Sequence, residues 1–162
     1  MSIPKTTWMN DAPPALRLLV FDDELLSRSQ SETIWGRIYF EIGGEPFPES
    51  GWSDLVVAVT NAWLEAVLQA TSGMSASTKV HFMDGPFHIN IAPVAARLVS
   101  LGFAHRGIVK RSLTSPIDAL LQDAISAGDK LLHICTDHGW SDDSDCSRLA
   151  ANLRWAIKSL PV

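Results

Sequence analysis

KVHFMDGPFHINI, residues 79 to 91, is the stretch on which the fold turns. Large apolar residues alternate on both sides of an Asp-Gly pair, and Asp-Gly signals a turn because both residues tolerate left-handed backbone. With Asp84 and Gly85 as the two turn residues, Phe82 faces Phe87, Val80 faces Ile89 and His81 faces His88. The apolar side chains then share one face and both histidines share the other, as a hairpin with one buried face requires. Pro86 follows at once. It has no N–H for the ladder and disfavours an α conformation at Gly85, so a wider turn or a bulge is the alternative to a two-residue loop.

Toward the N-terminus, IWGRIYFEI (34–42) repeats the period-two pattern, with Ile34, Gly36, Ile38, Phe40 and Ile42 on one side and Trp35, Arg37, Tyr39 and Glu41 on the other. Paired glycines and two prolines in GGEPFPES end that strand. LRLLVF (16–21) is a further strand, and DDELLSRSQSE after it fits either a loop or a short helix. Between the two strand regions, GWSDLVVAVTNAWLEAVLQA (51–70) changes to helical period, with Trp52, Val56, Val59, Trp63, Ala66, Val67 and Ala70 on one stripe. Ser53 is placed to cap this helix, with Asp54 in its first turn and Trp52 stapled against Val57.

Toward the C-terminus, Ala95 to Leu101 and Gly107 to Leu113 supply two more strands, with Gly102 near a turn. Ser115-Pro116 opens a second helix as cap and first helical residue. Its stripe of Ile117, Leu121, Ala124, Gly128, Leu131, Cys135 and His138 predicts one long helix ended by Gly139. A third helix runs from Asp142 or Ser144 to Leu160, with Leu149, Leu153, Ala156 and Leu160 on one face. This order predicts an α+β two-layer domain over residues 15–162, a mainly antiparallel sheet packed against about three helices. Residues 1–14, which end in a double proline, read as an irregular N-terminal arm, with Trp8 tacked onto the body.

Composition sets the function classes. The chain has 162 residues, 46% hydrophobic and 19% charged, so it can build one real core and is not a disordered sequence. Apolar runs such as Leu55 to Val59 fall far short of the roughly 20 residues of a membrane span. No secretory signal pattern is present, so a cytoplasmic location is expected. The formal charge of -5 argues against direct nucleic-acid binding, which depends on neutralising phosphates, and favours a basic partner. The acidic residues gather in two knots, Asp22, Asp23 and Glu24, then Asp137, Asp142, Asp143 and Asp145, while Arg97, Arg106, Lys110 and Arg111 form a mildly basic region. Cys135 and Cys146 belong to no Cys-x-x-Cys pair, and two free thiols are preferred to a disulfide between helices.

Motifs of chemistry are missing. There is no phosphate loop, dinucleotide fingerprint, nucleophile elbow or His-Glu-x-x-His helix. His133 and Asp137 stand four apart on a helix, which suits an oriented base or two metal ligands, but no third ligand has motif spacing. His81 and His88 are suited to sharing a metal or passing a proton, yet further partners would have to come from elsewhere in the fold; residues tolerated on a polar sheet face are the simpler reading. Asp84 is first of all a turn residue, and Asp142 to Asp145 lacks the calcium-loop pattern. No enzyme activity, cofactor or metal is expected.

Six tryptophans are more informative. Trp52 and Trp63 belong to the core stripe of their helix, whereas Trp35 lies opposite the apolar series of its strand and Trp155 lies away from the leucines of the last helix. If exposed, the latter two are anchors for a protein partner.

Gly51-Trp52-Ser53-Asp54, Trp63-Leu64-Glu65, Phe82 to Phe87 and His138-Gly139-Trp140-Ser141 together resemble a group of small bacterial proteins, some of which are thought to be immunity proteins of polymorphic-toxin or contact-dependent growth-inhibition systems. The likeness covers roughly residues 34 to 160. It implies a protein that binds a cognate toxin domain and blocks it without catalysing a reaction. For a basic toxin such as a nuclease domain, the implied contacts are Asp22, Asp23, Glu24, Asp142, Asp143 and Asp145, with Trp35 or Trp155 as apolar centre. An intracellular adaptor with another protein partner is the alternative, and a small hydrolase stands behind both.

Overall fold

In the computed structural model, residues 15–73 and 76–161 are described; the expected N-terminal arm, Trp8 included, lies outside them. The first sheet comprises β1 (Leu16–Val20), β2 (Ser27–Arg28), β3 (Ile34–Ile42), β4 (Glu45–Phe47) and β5 (Ser53–Leu55). β3 is its spine, and the other four strands all pair with it antiparallel. The alternation read from the sequence holds residue for residue, with Ile34, Gly36, Ile38, Phe40 and Ile42 buried. DDELLSRSQSE is mainly loop and holds only the short β2. β3 does end at Ile42, but Gly43 and Gly44, both at positive φ, turn the chain back so that β4 pairs with it at once.

The second sheet is a meander in the order β6 (Thr78–His81), β7 (Phe87–Ala95), β8 (Leu98–His105), β9 (Ile108–Pro116). The expected register is present: Val80 faces Ile89, His81 faces His88, and the Phe82 N–H donates to the Phe87 carbonyl at 3.0 Å. Two strand limits differ from expectation. The β7–β8 turn falls at Ala96 and Arg97, the latter at φ 56°, so Gly102 lies inside β8 rather than at a turn. A Cβ on Gly102 would stand 3.4 Å from Val109 Cγ2, so the glycine serves close cross-strand packing.

α1 (Val56–Thr71) starts later than expected, because Ser53 pairs with Arg37 in β5 and caps nothing. Trp52 is no staple against Val57; its ring packs edge-on against Phe82 and Phe87. α2 (Ile117–Asp137) likewise has no side-chain cap, since β9 continues through Ser115 and Pro116. It runs unbroken through Gly128, where an added Cβ would meet Leu153 Cδ2 at 3.0 Å. Glycine there lets α2 approach α3 (Ser144–Ser159), and Gly139, at φ 79°, follows the end of α2 as expected.

The three helices pack on one another, and both sheets join them around a single core. Phe40 bridges the sheets, in edge contact with Trp63, Phe82 and Phe103. Each such fully buried side chain contributes about 1.5–3 kcal/mol relative to exposure. The fold is therefore α+β, with the helices set against two antiparallel sheets. Cys135 and Cys146 are both free and buried. The hydrogen bond with Cys135, together with burial and the charges of Asp143 and Asp145, pushes the Cys146 thiol up. Neither thiol is presented to solvent as a nucleophile.

Candidate functional site: an acidic rim

The loop from Phe21 to Leu26 is held by Asp23, whose carboxylate accepts the Leu25 N–H at 2.9 Å and whose carbonyl accepts the Leu26 N–H at 3.0 Å. Leu26 thereby enters the core beside Gly36, where an added Cβ would stand 2.8 Å from Leu26 Cδ1. On the outward side of β3, Arg37 pairs with Asp23 and lies over the Phe21 ring, which stacks on Tyr39. Burial works against the Asp23 charge, but the Arg37 hydrogen bond and charge and the two loop amides outweigh it and hold this carboxyl below its ordinary value. Asp22 and Glu24 on either side are exposed.

Each acidic knot is contacted by a residue from the neighbourhood of the other. His138 Nε2 lies 3.3 Å from the Asp22 carboxylate, and its ring stacks on Trp140. Arg28, in β2, reaches Asp142 at 3.5 Å and Asp143 at 3.8 Å. Between the loop after β2 and the start of α3 lies a polar groove of about 420 Å³, lined by Arg28, Glu32, Thr33, Asp142 and Asp145 among others. Trp35 is half-buried and pairs with Ser27, the neighbour of Arg28.

The six acidic residues Asp22, Asp23, Glu24, Asp142, Asp143 and Asp145 do not play one part. Asp143 is buried and caps α3, accepting the N–H groups of Asp145 at 2.9 Å and Cys146 at 3.2 Å. Asp23 is engaged with Arg37. Asp22, Glu24, Asp142 and Asp145 keep their carboxylates in solvent, and Leu25, next to Glu24 in the chain, is a large apolar residue that is 48% exposed. Trp155 lies elsewhere. It is 51% exposed on α3, twelve residues beyond the cap, or about 18 Å along the helix axis. Its neighbours Arg154 and Lys158 are exposed and make no ion pair among the described residues.

Of the catalytic candidates, His81 and His88 face each other as expected, whereas the His133–Asp137 pair is not formed. His133 turns back toward Asp129, its Nδ1 lying 2.8 Å from the Asp129 carbonyl, rather than pairing with Asp137. Among the described residues no cluster of three or more metal-ligating side chains exists. Asp84 is exposed, and its backbone, rather than its carboxyl, carries its main contact.

That contact is with Asp54, which sequence reasoning placed in the first turn of a helix. Its carboxylate is fully buried and accepts the Trp52 indole N–H at 3.0 Å and the backbone N–H groups of Leu55, Met83 and Asp84 at 2.7, 3.1 and 3.1 Å. It ties the FMDGPF loop to β5 and opens the turn beyond two residues. A tryptophan two residues before an aspartate was the only local signal of this role. A second unforeseen network links α1 to α3. Asn152 donates to Asn61 at 3.1 Å and to Glu65 at 2.9 Å, Arg148 pairs with Glu65, and Asn61 donates to the Asp145 carbonyl at 3.0 Å.

What this geometry offers is a set of solvent-exposed carboxylates at Asp22, Glu24, Asp142 and Asp145. No helix among the described residues is long and apolar enough to cross a membrane. Comparison with protein families, curated proteins and solved structures finds no match for this chain.

Proposed function

We propose that the chain is a protein-binding, immunity-type protein that occludes a cognate basic toxin domain in the cytoplasm, with no reaction of its own. The observation carrying this reading is that each acidic knot, more than a hundred residues from the other in sequence, is contacted by a residue beside the other: His138 lies against Asp22, and Arg28 against Asp142. Exposed carboxylates and an exposed apolar residue such as Leu25 suit a cationic partner: charge steers the encounter and the apolar contact slows release. Half-buried Trp35 flanks the rim on β3. A nuclease domain, basic where it meets nucleic acid, is the partner of this kind that fits best.

A test is co-expression with a basic toxin domain encoded beside this gene. Co-purification and restored growth are expected, with both weakened when Asp22, Glu24, Asp142 and Asp145 are together changed to Lys. Growth rescue that is indifferent to this reversal would sink the reading. One observation favours a second: Trp155 sits between Arg154 and Lys158, which make no ion pair among the described residues, away from the rim. An intracellular adaptor that receives an acidic partner would use that face, and Trp155→Ala would then abolish binding that rim variants leave intact.

A further inference from the structure

The outward face of the second sheet carries a histidine pair that the rim does not use. His81 and His88 are register partners on antiparallel strands, and both stand opposite the apolar face formed by Val80, Phe82 and Ile89. Their ring centroids are 5.5 Å apart with the planes inclined at 44°. A tetrahedral cation with nitrogen ligands at about 2.0–2.1 Å holds two imidazole centroids about 5 Å apart, close to the separation observed. Strand pairing has already fixed both backbones, and the second ligand therefore binds within the same molecule at little further cost.

We infer that His81 and His88 form a two-histidine site for an imidazole-preferring divalent cation, Zn²⁺ or Cu²⁺, whose remaining positions are filled by water. Imidazole favours these ions, while Mg²⁺ and Ca²⁺ are held by sets of oxygen ligands. Burial, followed by the charges of Lys79 and His81, lowers the proton affinity of His88 and so favours the neutral form, the one that ligates. Lys79 is opposite Asn90 on the same face and repels a dication, which makes the site weaker than one without it.

The test uses the untagged full chain, titrated with Zn²⁺ and Cu²⁺ by calorimetry and by NMR of the histidine rings. One ion per chain is expected, with Cu²⁺ tighter than Zn²⁺ and no response to Mg²⁺. The His81 and His88 signals should shift together, while those of His105, His133 and His138 stay in place. His81→Gln and His88→Gln should each weaken binding about tenfold or more, since each leaves a single ligand, and Lys79→Gln should tighten it. Because His81 is exposed, its variant reads the site even if His88→Gln disturbs folding. Absence of Zn²⁺ binding, or binding unchanged in His81→Gln, overturns the inference.

Discussion

Asp54 and Asp142 carry the same side chain in opposite settings. Asp54 is sealed in the protein among four N–H donors from three places in the chain, whereas Asp142 stands in solvent with one long contact to Arg28. Water solvates the second whatever its neighbours do. The first has no water to fall back on, so its donors and its charge depend wholly on each other. A carboxylate that holds the fold together and one that is free to meet a partner are thus separated by burial and donor count.

Asp54→Ala is the sharpest way to break that contrast. It strands the amides of Met83 and Asp84 and the Trp52 indole, and a loss of about 3–5 kcal/mol is expected in urea unfolding. Asp54→Asn, which keeps an acceptor, should cost clearly less. Asp143 lies between the extremes: within the rim by position, it is a cap by contact. Asp143→Ala should cost about 1 kcal/mol, measured in the same way.

Titration extends the contrast to His88. Its folded pKa is depressed below the ordinary value of 6.5 by burial, Lys79 and His81, so the unfolded chain takes up a proton first as pH falls. Stability should be full above pH 6.5 and decline as pH drops from there toward the folded value, and His88→Gln should flatten that decline in thermal melts recorded across the window. Asp123 shows the opposite sign. Burial raises its pKa, against the Leu18 N–H and the charge of Arg17. Asp123→Asn keeps an acceptor for that N–H, at 2.8 Å, while removing a poorly solvated charge. It should therefore be neutral or stabilising at pH 7, by less than about 1 kcal/mol.

The smallest effect on stability is expected at the rim. Asp142→Asn and Asp145→Asn should each move it by no more than about 0.5 kcal/mol. Their effect belongs to association: with a basic partner, the rate constant at low salt should fall, and the difference should shrink as salt is raised.

Much of the scaffold was legible because it rests on periodicity. The alternation of β3, the register of Val80 with Ile89 and the phase of α2 through Gly128 follow from side-chain period alone. Helix starts were not legible at Ser53 and Ser115, because local capping preference lost to strand pairing that joins residues distant in sequence. For the same reason the sequence showed two acidic knots and two candidate tryptophans, but not that His138 reaches Asp22 and Arg28 reaches Asp142, or that Trp155 stands apart from them.

Charge, period and the presence of a turn at FMDGPF, though not its width, were thus settled by the sequence alone, since each depends on residues within a few positions of one another. The tertiary structure decided which carboxylates are buried, which cations are already paired, and that Asp54 opens the turn around Asp84-Gly85 by accepting its amides. Those outcomes depend on solvent exclusion and on partners brought from far along the chain, and neither is written in any local stretch.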